Sequence, residues 1–122
     1  FAHHPTAIKA SLSSVKQQKP ENRLVAALEL RSNSMRMGIH REFLAKSMID
    51  AEVIFLLVPK NIDWDPISIL RSIDAKIIVE SNVDSLLEKI LNELVSGDQV
   101  LFMSNGSFSG IPRLVKQSLQ SK

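Results

Sequence analysis

Short apolar runs alternate with amphipathic segments along this 122-residue chain, and this alternation limits the folds that it can adopt. The predicted strands cover residues 23–29, 52–58, 76–79 and 99–103. The first of them does not alternate between apolar and polar residues, which is typical of a parallel strand that is covered on both faces. We therefore predict an α/β fold with an open, mostly parallel sheet, helices on both faces and right-handed βαβ connections.

Apolar residues at helical spacing predict helices between these strands. The expected helices lie at 6–18, from about 38 to 50, and at 67–73, 83–95 and 111–119. Asp65 is expected to cap the third helix with Pro66 in its first turn, and residues 81–84 resemble a capping box for the fourth. Gly97 is expected to end the fourth helix as a C-cap glycine.

Composition excludes several classes of protein. The whole chain, residues 1–122, is predicted to be one domain. Its 15 basic and 13 acidic residues are scattered, which argues against a nucleic-acid surface, and its apolar runs are shorter than a membrane span of about 20 residues. The absence of cysteine excludes disulfides and thiolate chemistry, so a reducing, cytoplasmic location is the simpler expectation.

The polar segment that follows the first predicted strand is the strongest candidate for a binding loop. Arg31, Ser32, Asn33 and Arg36 lie within six residues, at the carboxyl end of a strand, where open α/β sheets bind ligands. Forked guanidinium donors suit a carboxylate or a phosphate, so we expect an anion site. From composition alone, a solvated loop is the alternative.

Two other segments, at the start and near the end of the chain, could also contact a ligand. The adjacent His3 and His4 cannot easily point at one metal ion, so we expect no metal site there, although one imidazole could hydrogen-bond a ligand. Residues 104–110 lack the lysine and the glycine spacing of a P-loop, and from the residues alone they are a flexible turn.

Three motifs together resemble the C-terminal domain of the Mur ligase family. They are Phe-Ala-His-His-Pro-Thr at 1–6, Glu-Leu-Arg-Ser-Asn-Ser-Met-Arg-Met-Gly-Ile-His at 29–40, and Phe-Met-Ser-Asn-Gly-Ser-Phe-Ser-Gly-Ile at 102–111. The resemblance covers nearly the whole chain and is strongest for the branch of the family that uses a murein tripeptide. It implies a Rossmann-like domain, and we expect a strand and an acidic residue just before Phe1 in a longer parent protein.

The resemblance also implies roles for individual residues, although it places no catalytic residue or metal ligand in this fragment. The positions expected to bind the peptide substrate are Arg31, Ser32, Asn33, Arg36, Ser107 and Ser109. The positions expected near the nucleotide and the incoming amine are Phe1, His3, His4 and Asn105. ATP and Mg²⁺ are expected to be held mainly by a central domain that, with a domain for the UDP-sugar, is absent here.

The activity implied for the parent protein is an ATP-dependent ligation in peptidoglycan recycling. It would join UDP-N-acetylmuramate to L-alanyl-γ-D-glutamyl-meso-diaminopimelate through an acyl phosphate, with this domain closing over ATP and presenting the tripeptide. The isolated fragment is expected to be inactive. Two alternatives are a sister ligase that adds L-alanine to the same sugar, and a non-catalytic α/β binding module, since fold alone does not fix function. Neither nucleic acid nor a membrane is expected as a partner.

Overall fold

The computed structural model describes residues 5–29, 41–58, 65–71, 73–103 and 110–120. Helices and strands alternate along these residues, as the sequence predicts. The strands are β1 (Leu24–Glu29), β2 (Val53–Leu57), β3 (Lys76–Glu80) and β4 (Gln99–Met103). The helices are α1 (Pro5–Gln18), α2 (Arg41–Ser47), α3 (Pro66–Leu70), α4 (Val83–Glu93) and α5 (Ile111–Gln120).

The four strands form one parallel sheet in the order β3-β2-β1-β4, so β1 lies in its interior. Val25 of β1 pairs with Val53 of β2 on one side and with Val100 of β4 on the other. The chain therefore proceeds from β1 outward to β3 and then returns to the opposite side of β1 for β4. This arrangement confirms the predicted open, parallel α/β sheet.

Successive residues of β1 point to opposite faces, and each face has its own apolar core. The first core contains Leu24, Ala26 and Leu28 and packs against helices α1, α2 and α3 through Ile8, Leu12, Leu44 and Leu70. The second contains Val25 and Ala27 and packs against α4 and α5 through Leu86, Ile90, Ile111 and Val115. Helices thus cover both faces, which explains why β1 lacks an alternating pattern. Burying one such Leu or Ile side chain contributes about 1.5–3 kcal/mol.

Four predicted details of the helix ends are wrong. Helix α3 ends at Leu70, before the predicted Ile73. Helix α4 ends at Glu93, before the predicted Val95, because Leu94 adopts an extended conformation with ψ of 135°. The N-cap of α4 is Asn82, whose side-chain oxygen accepts from the Ser85 N–H at 3.0 Å, so the cap lies one residue beyond Ser81. Gly97 has a φ of 93° in the turn that enters β4, where it follows the helix end by several residues.

The amino edge of the sheet, where the strands begin, holds a group of paired charges centred on Arg23. Its guanidinium donates to both carboxylate oxygens of Asp98, at 3.0 and 2.6 Å, and to the carboxylate and backbone carbonyl of Glu93, at 3.0 and 2.9 Å. Lys76 donates to the other oxygen of Glu93 at 2.7 Å. These contacts connect the residues at the starts of β1, β3 and β4 with Glu93, the last residue of α4.

The ion pairs shift the pKa values of these groups. Lys76, followed by Arg23, lowers the pKa of Glu93 against the opposing effect of burial. Burial would raise the pKa of Asp98, but its bonds from Arg23 and from the Val95 N–H together lower it. The bond to Asp98 is the main cause of the raised pKa of Arg23. Each carboxylate is therefore stabilised in its charged form.

Replacing Arg23 with Met should lower the free energy of unfolding by about 2 kcal/mol, because the Asp98 side chain, only 4% exposed, would lose its counter-ion. Urea denaturation monitored by circular dichroism measures this change. Lys89→Met is the matched control, since Lys89 is half exposed in its pair with Glu80 and should contribute less than about 1 kcal/mol. Equal losses in the two variants would contradict a special role for Arg23.

The stabilisation by Arg23 should also depend on pH. The folded pKa values of Asp98 and Glu93 lie below their ordinary values of 3.8 and 4.5, so the network contributes fully above pH 4.5 and is lost as pH falls through the lower folded values. The difference in unfolding free energy between wild type and Arg23→Met should therefore be constant from about pH 8 to about 6 and shrink below about pH 4. A difference that grows on acidification would reverse the expected sign.

Candidate functional site

The four parallel strands end at one edge of the sheet, which we call the carboxyl edge. Leu28 pairs with Met103, so β1 and β4 end side by side, and Glu29 pairs with Leu57 at the end of β2. Segments 30–40 and 104–109 therefore connect to neighbouring strands at this edge, where ligands bind in open α/β sheets.

Helix α1 also begins at the carboxyl edge. Its 14 residues span about 21 Å, close to the length of about 20 Å of the six-residue strand β1, and the chain reverses between them at 19–23. Pro5, the first residue of α1, is thus at the end of the molecule where β1 and β4 finish. The topology connects all three of the motifs singled out from the sequence to one edge.

Every site residue predicted from the sequence lies outside the described residues, so the structure tests none of these assignments. This holds for the expected peptide-binding residues Arg31, Ser32, Asn33, Arg36, Ser107 and Ser109 and for Phe1, His3, His4 and Asn105. Their assignments stay predictions, supported by the positions of the described elements to which their segments connect.

Glu29 is the described residue that carries a buried charged group into this edge. It ends β1 and is only 5% exposed, and its Oε1 atom has no hydrogen-bond partner among the residues that the structure describes. Sequence reasoning included Glu29 in both the strand and the motif but gave it no role. The available signal was a carboxylate at the end of an otherwise apolar run.

Other polar side chains near the carboxyl edge already cap helices. The Asp65 carboxylate accepts from the Ile67 N–H at 3.0 Å and from the Ser68 hydroxyl at 2.8 Å, which confirms its predicted role as the N-cap of α3. The Ser68 bond is the main cause of the lowered pKa of Asp65. Asp65 and Asn82 are engaged in capping, whereas the Oε1 of Glu29 has no partner within the described ranges.

The described part of the chain contains neither a cluster of metal ligands nor a membrane-spanning helix. No group of three or more histidine, aspartate or glutamate side chains there is placed to bind a metal ion, and all three histidines lie outside it. None of the helices in the same part combines the length and apolar character needed to cross a membrane.

Comparison with known protein families identifies the chain. The family described as Mur ligase, glutamate ligase domain, matches residues 1–106, which is most of the sequence. The chain belongs to the Mur ligase family. This finding confirms the family that the three motifs indicated.

Individual members of the family show which ligases the chain is most similar to among those compared. Over its whole length the chain is 35% identical to the UDP-N-acetylmuramate–L-alanyl-γ-D-glutamyl-meso-2,6-diaminoheptandioate ligase of Haemophilus influenzae and 37% identical to that of Escherichia coli. It is 30% identical to the UDP-N-acetylmuramate–L-alanine ligase of Symbiobacterium thermophilum. The chain spans 27% of the length of each of these relatives.

Solved structures have the same fold. A murein peptide ligase from Psychrobacter arcticus matches 98% of this chain and 26% of its own, with 34% identity and a TM-score of 0.81. A crystallised domain from Haemophilus ducreyi, described as part of a UDP-N-acetylmuramate:tripeptide ligase, matches 98% of this chain and 86% of its own, with 32% identity and a TM-score of 0.78. The UDP-N-acetylmuramate–alanine ligase of Thermotoga maritima, 17% identical, matches 99% of this chain and 26% of its own with a TM-score of 0.79, which shows the fold alone.

Gly110, near the end of the third motif, has a φ of 76° just before α5, and no atom lies within 4 Å of the position that a Cβ would occupy. Gly110→Ala should therefore lower the unfolding free energy by about 1–2 kcal/mol through backbone strain, without steric overlap. Gly110→Asn should lose less, because Asn tolerates positive φ better than Ala. Thermal and urea denaturation of the two variants measure the difference, and equal stability of Ala and Asn would contradict this origin.

Proposed function

We propose that residues 1–122 are the C-terminal domain of a longer, ATP-dependent ligase that joins UDP-N-acetylmuramate to L-alanyl-γ-D-glutamyl-meso-diaminopimelate. The observation that carries the proposal is similarity along the whole chain, at 35–37% identity, to two ligases named for these substrates. The domains for the UDP-sugar and for ATP hydrolysis would lie elsewhere in that protein, in keeping with the share of the relatives that this chain spans. Its location would be cytoplasmic and its pathway peptidoglycan recycling.

The peptide-binding residues in this proposal come from two neighbouring connections. Arg31, Ser32, Asn33 and Arg36 follow β1, whereas Ser107 and Ser109 follow β4. The tripeptide carries several carboxylates, and paired arginines with adjacent hydroxyl and amide groups supply the donors that carboxylates accept. The adjacent ends of β1 and β4 support this pairing of two segments.

The nucleotide side of the site is assigned to the start of the chain and to Asn105. Phe1, His3 and His4 precede α1, which begins at the carboxyl edge. In this assignment they lie where ATP meets the incoming amine. The backbone N–H groups at the first turn of α1 favour a negatively charged group, which supports a nucleotide at this end of the helix.

The reaction has two steps in the proposed enzyme. ATP transfers its γ-phosphoryl group to the muramoyl carboxylate, which releases ADP and forms an acyl phosphate. The tripeptide amine then attacks the carbonyl carbon, and the amide forms as phosphate leaves and the nitrogen loses a proton. This domain contributes mainly by holding the amine in line with the acyl phosphate.

Mg²⁺ would shield the phosphates of ATP in the full enzyme. As the family resemblance implies, we assign the ion mainly to the central domain. The isolated chain is accordingly expected to catalyse no ligation.

In the full enzyme, Arg31→Ala should raise the KM for the tripeptide by about 10- to 100-fold, because a charged hydrogen bond to a substrate carboxylate is lost. The KM for ATP should change far less. Initial-rate measurements of amide formation with one substrate varied at a time test this. Arg71→Ala is the matched control, since Arg71 is an exposed arginine at the C-terminal end of α3.

Unchanged tripeptide kinetics in Arg31→Ala would overturn the role of Arg31. A competition assay between free L-alanine and the tripeptide separates the proposed activity from that of the sister ligase, which the lower identity of 30% already makes less well supported. Ligation of neither substrate by the full protein would favour the non-catalytic binding module.

A further inference from the structure

We propose that Glu29 is a further substrate-binding residue, whose carboxylate accepts a hydrogen bond from the protonated amine of the incoming peptide. The inference rests on the proposed ligase function and deepens it, because it assigns the reacting amine of the substrate to a residue that the structure describes. It involves no covalent step.

The burial of Glu29 is the first observation. The residue is 5% exposed and ends a strand whose other residues are apolar. Its Oε1 atom is inaccessible to solvent and has no hydrogen-bond partner in the described part of the chain. Buried carboxylates are normally paired or hydrogen-bonded, so this oxygen requires an explanation.

Asp98 shows how the same molecule treats a buried carboxylate that has a structural role. The Asp98 side chain is 4% exposed, and its oxygens accept from the Arg23 guanidinium at 3.0 and 2.6 Å and from the Val95 N–H at 2.9 Å. Glu29, which is similarly buried, lies at the opposite end of the sheet, and its Oε1 has no partner among the described residues. The Asp98 carboxylate therefore has its hydrogen-bond donors within the described structure, whereas the Glu29 Oε1 does not.

The surroundings of Glu29 supply little compensation for its charge. By the alternation of β1, its side chain is on the face of Val25 and Ala27, whose core neighbours Phe55 and Ile111 are apolar. Helices α4 and α5 cover this face and both begin at the carboxyl edge, since each follows a strand that ends there. The partial positive charge at the amino ends of these helices favours a carboxylate at this edge, but the described residues provide no donor for Oε1.

The position selects the type of donor. A carboxylate accepts hydrogen bonds only, and a cationic nitrogen gives it the strongest ones. The carboxylates of the peptide would be repelled by Glu29, whereas its amine would be attracted. Glu29 lies at the end of an interior strand, between the ends of β2 and β4, so the amine would be held at the middle of the carboxyl edge.

The test uses the full-length ligase with Glu29→Gln, which preserves shape and removes the charge. The KM for the tripeptide should rise about 10-fold or more, with each tenfold change equivalent to about 1.4 kcal/mol, while the KM for ATP stays within about twofold. A tripeptide acetylated on its reacting amine carries no cation there, so its inhibition constant should be nearly the same for wild type and variant. Glu29→Asp, which retains the charge, should give an intermediate KM and provides the test if the Gln variant folds poorly.

Gln99→Met is the matched control, because the buried Oε1 of Gln99 also lacks a partner in the described part of the chain but lies at the amino edge, where β4 begins. Its KM values should match wild type. An unchanged tripeptide KM in an active Glu29→Gln enzyme would overturn the proposal, as would an equal loss of affinity for the acetylated peptide, which would make Glu29 a support for other binding groups. Absence of tripeptide ligation by the wild-type enzyme would instead contradict the proposed function itself.

Discussion

The burial of β1 on both faces and along both edges is the constraint on which the rest of the structure depends. The strand pairs with β2 and β4, and its alternating residues enter two separate cores. Because β2 and β4 pair with it in parallel, and β3 pairs in parallel with β2, all four strands run in one direction. The shared carboxyl edge, and hence the position of any site there, follows from this one arrangement.

The two edges of the sheet use charged residues differently. At the amino edge, Arg23 pairs with Asp98 and Glu93, and Glu52 accepts from the Leu24 N–H at 2.6 Å and pairs with Lys16. These hydrogen bonds and ion pairs hold the starts of the strands in place and stabilise the fold. At the carboxyl edge, Glu29 has a buried oxygen with no partner among the described residues, and the proposed site assigns this oxygen to the substrate amine. In the proposed enzyme, the charges that stabilise the fold and the charge that binds substrate lie at opposite ends of the strands.

The strands could be predicted closely from the sequence because each is a short apolar run bounded by polar or turn residues; residues 99–103 match β4 without error. Helix ends were less predictable. The apolar Leu94 continues the stripe of α4, but it leaves the helix in an extended conformation so that Val95 can donate to Asp98, a contact that helical periodicity does not encode. The site motifs were found by family resemblance, whereas a lone Glu29 is equally compatible with a solvated strand end until its burial is known.

Charge arrangement at the carboxyl edge gives a physical reason for substrate orientation. In the proposed site, Arg31 and Arg36 attract the carboxylates of the peptide, while Glu29 attracts its amine and repels those same carboxylates. Placing a peptide carboxylate beside Glu29 and the alanyl amine beside the arginines would bring like charges together in both places, which costs more in a desolvated site than in water. Selectivity would then depend on the separation between the two signs of charge, so a single free amino acid, with its carboxylate one carbon from its amine, would satisfy only one end. In the proposed site, this difference in span would favour the longer peptide over alanine.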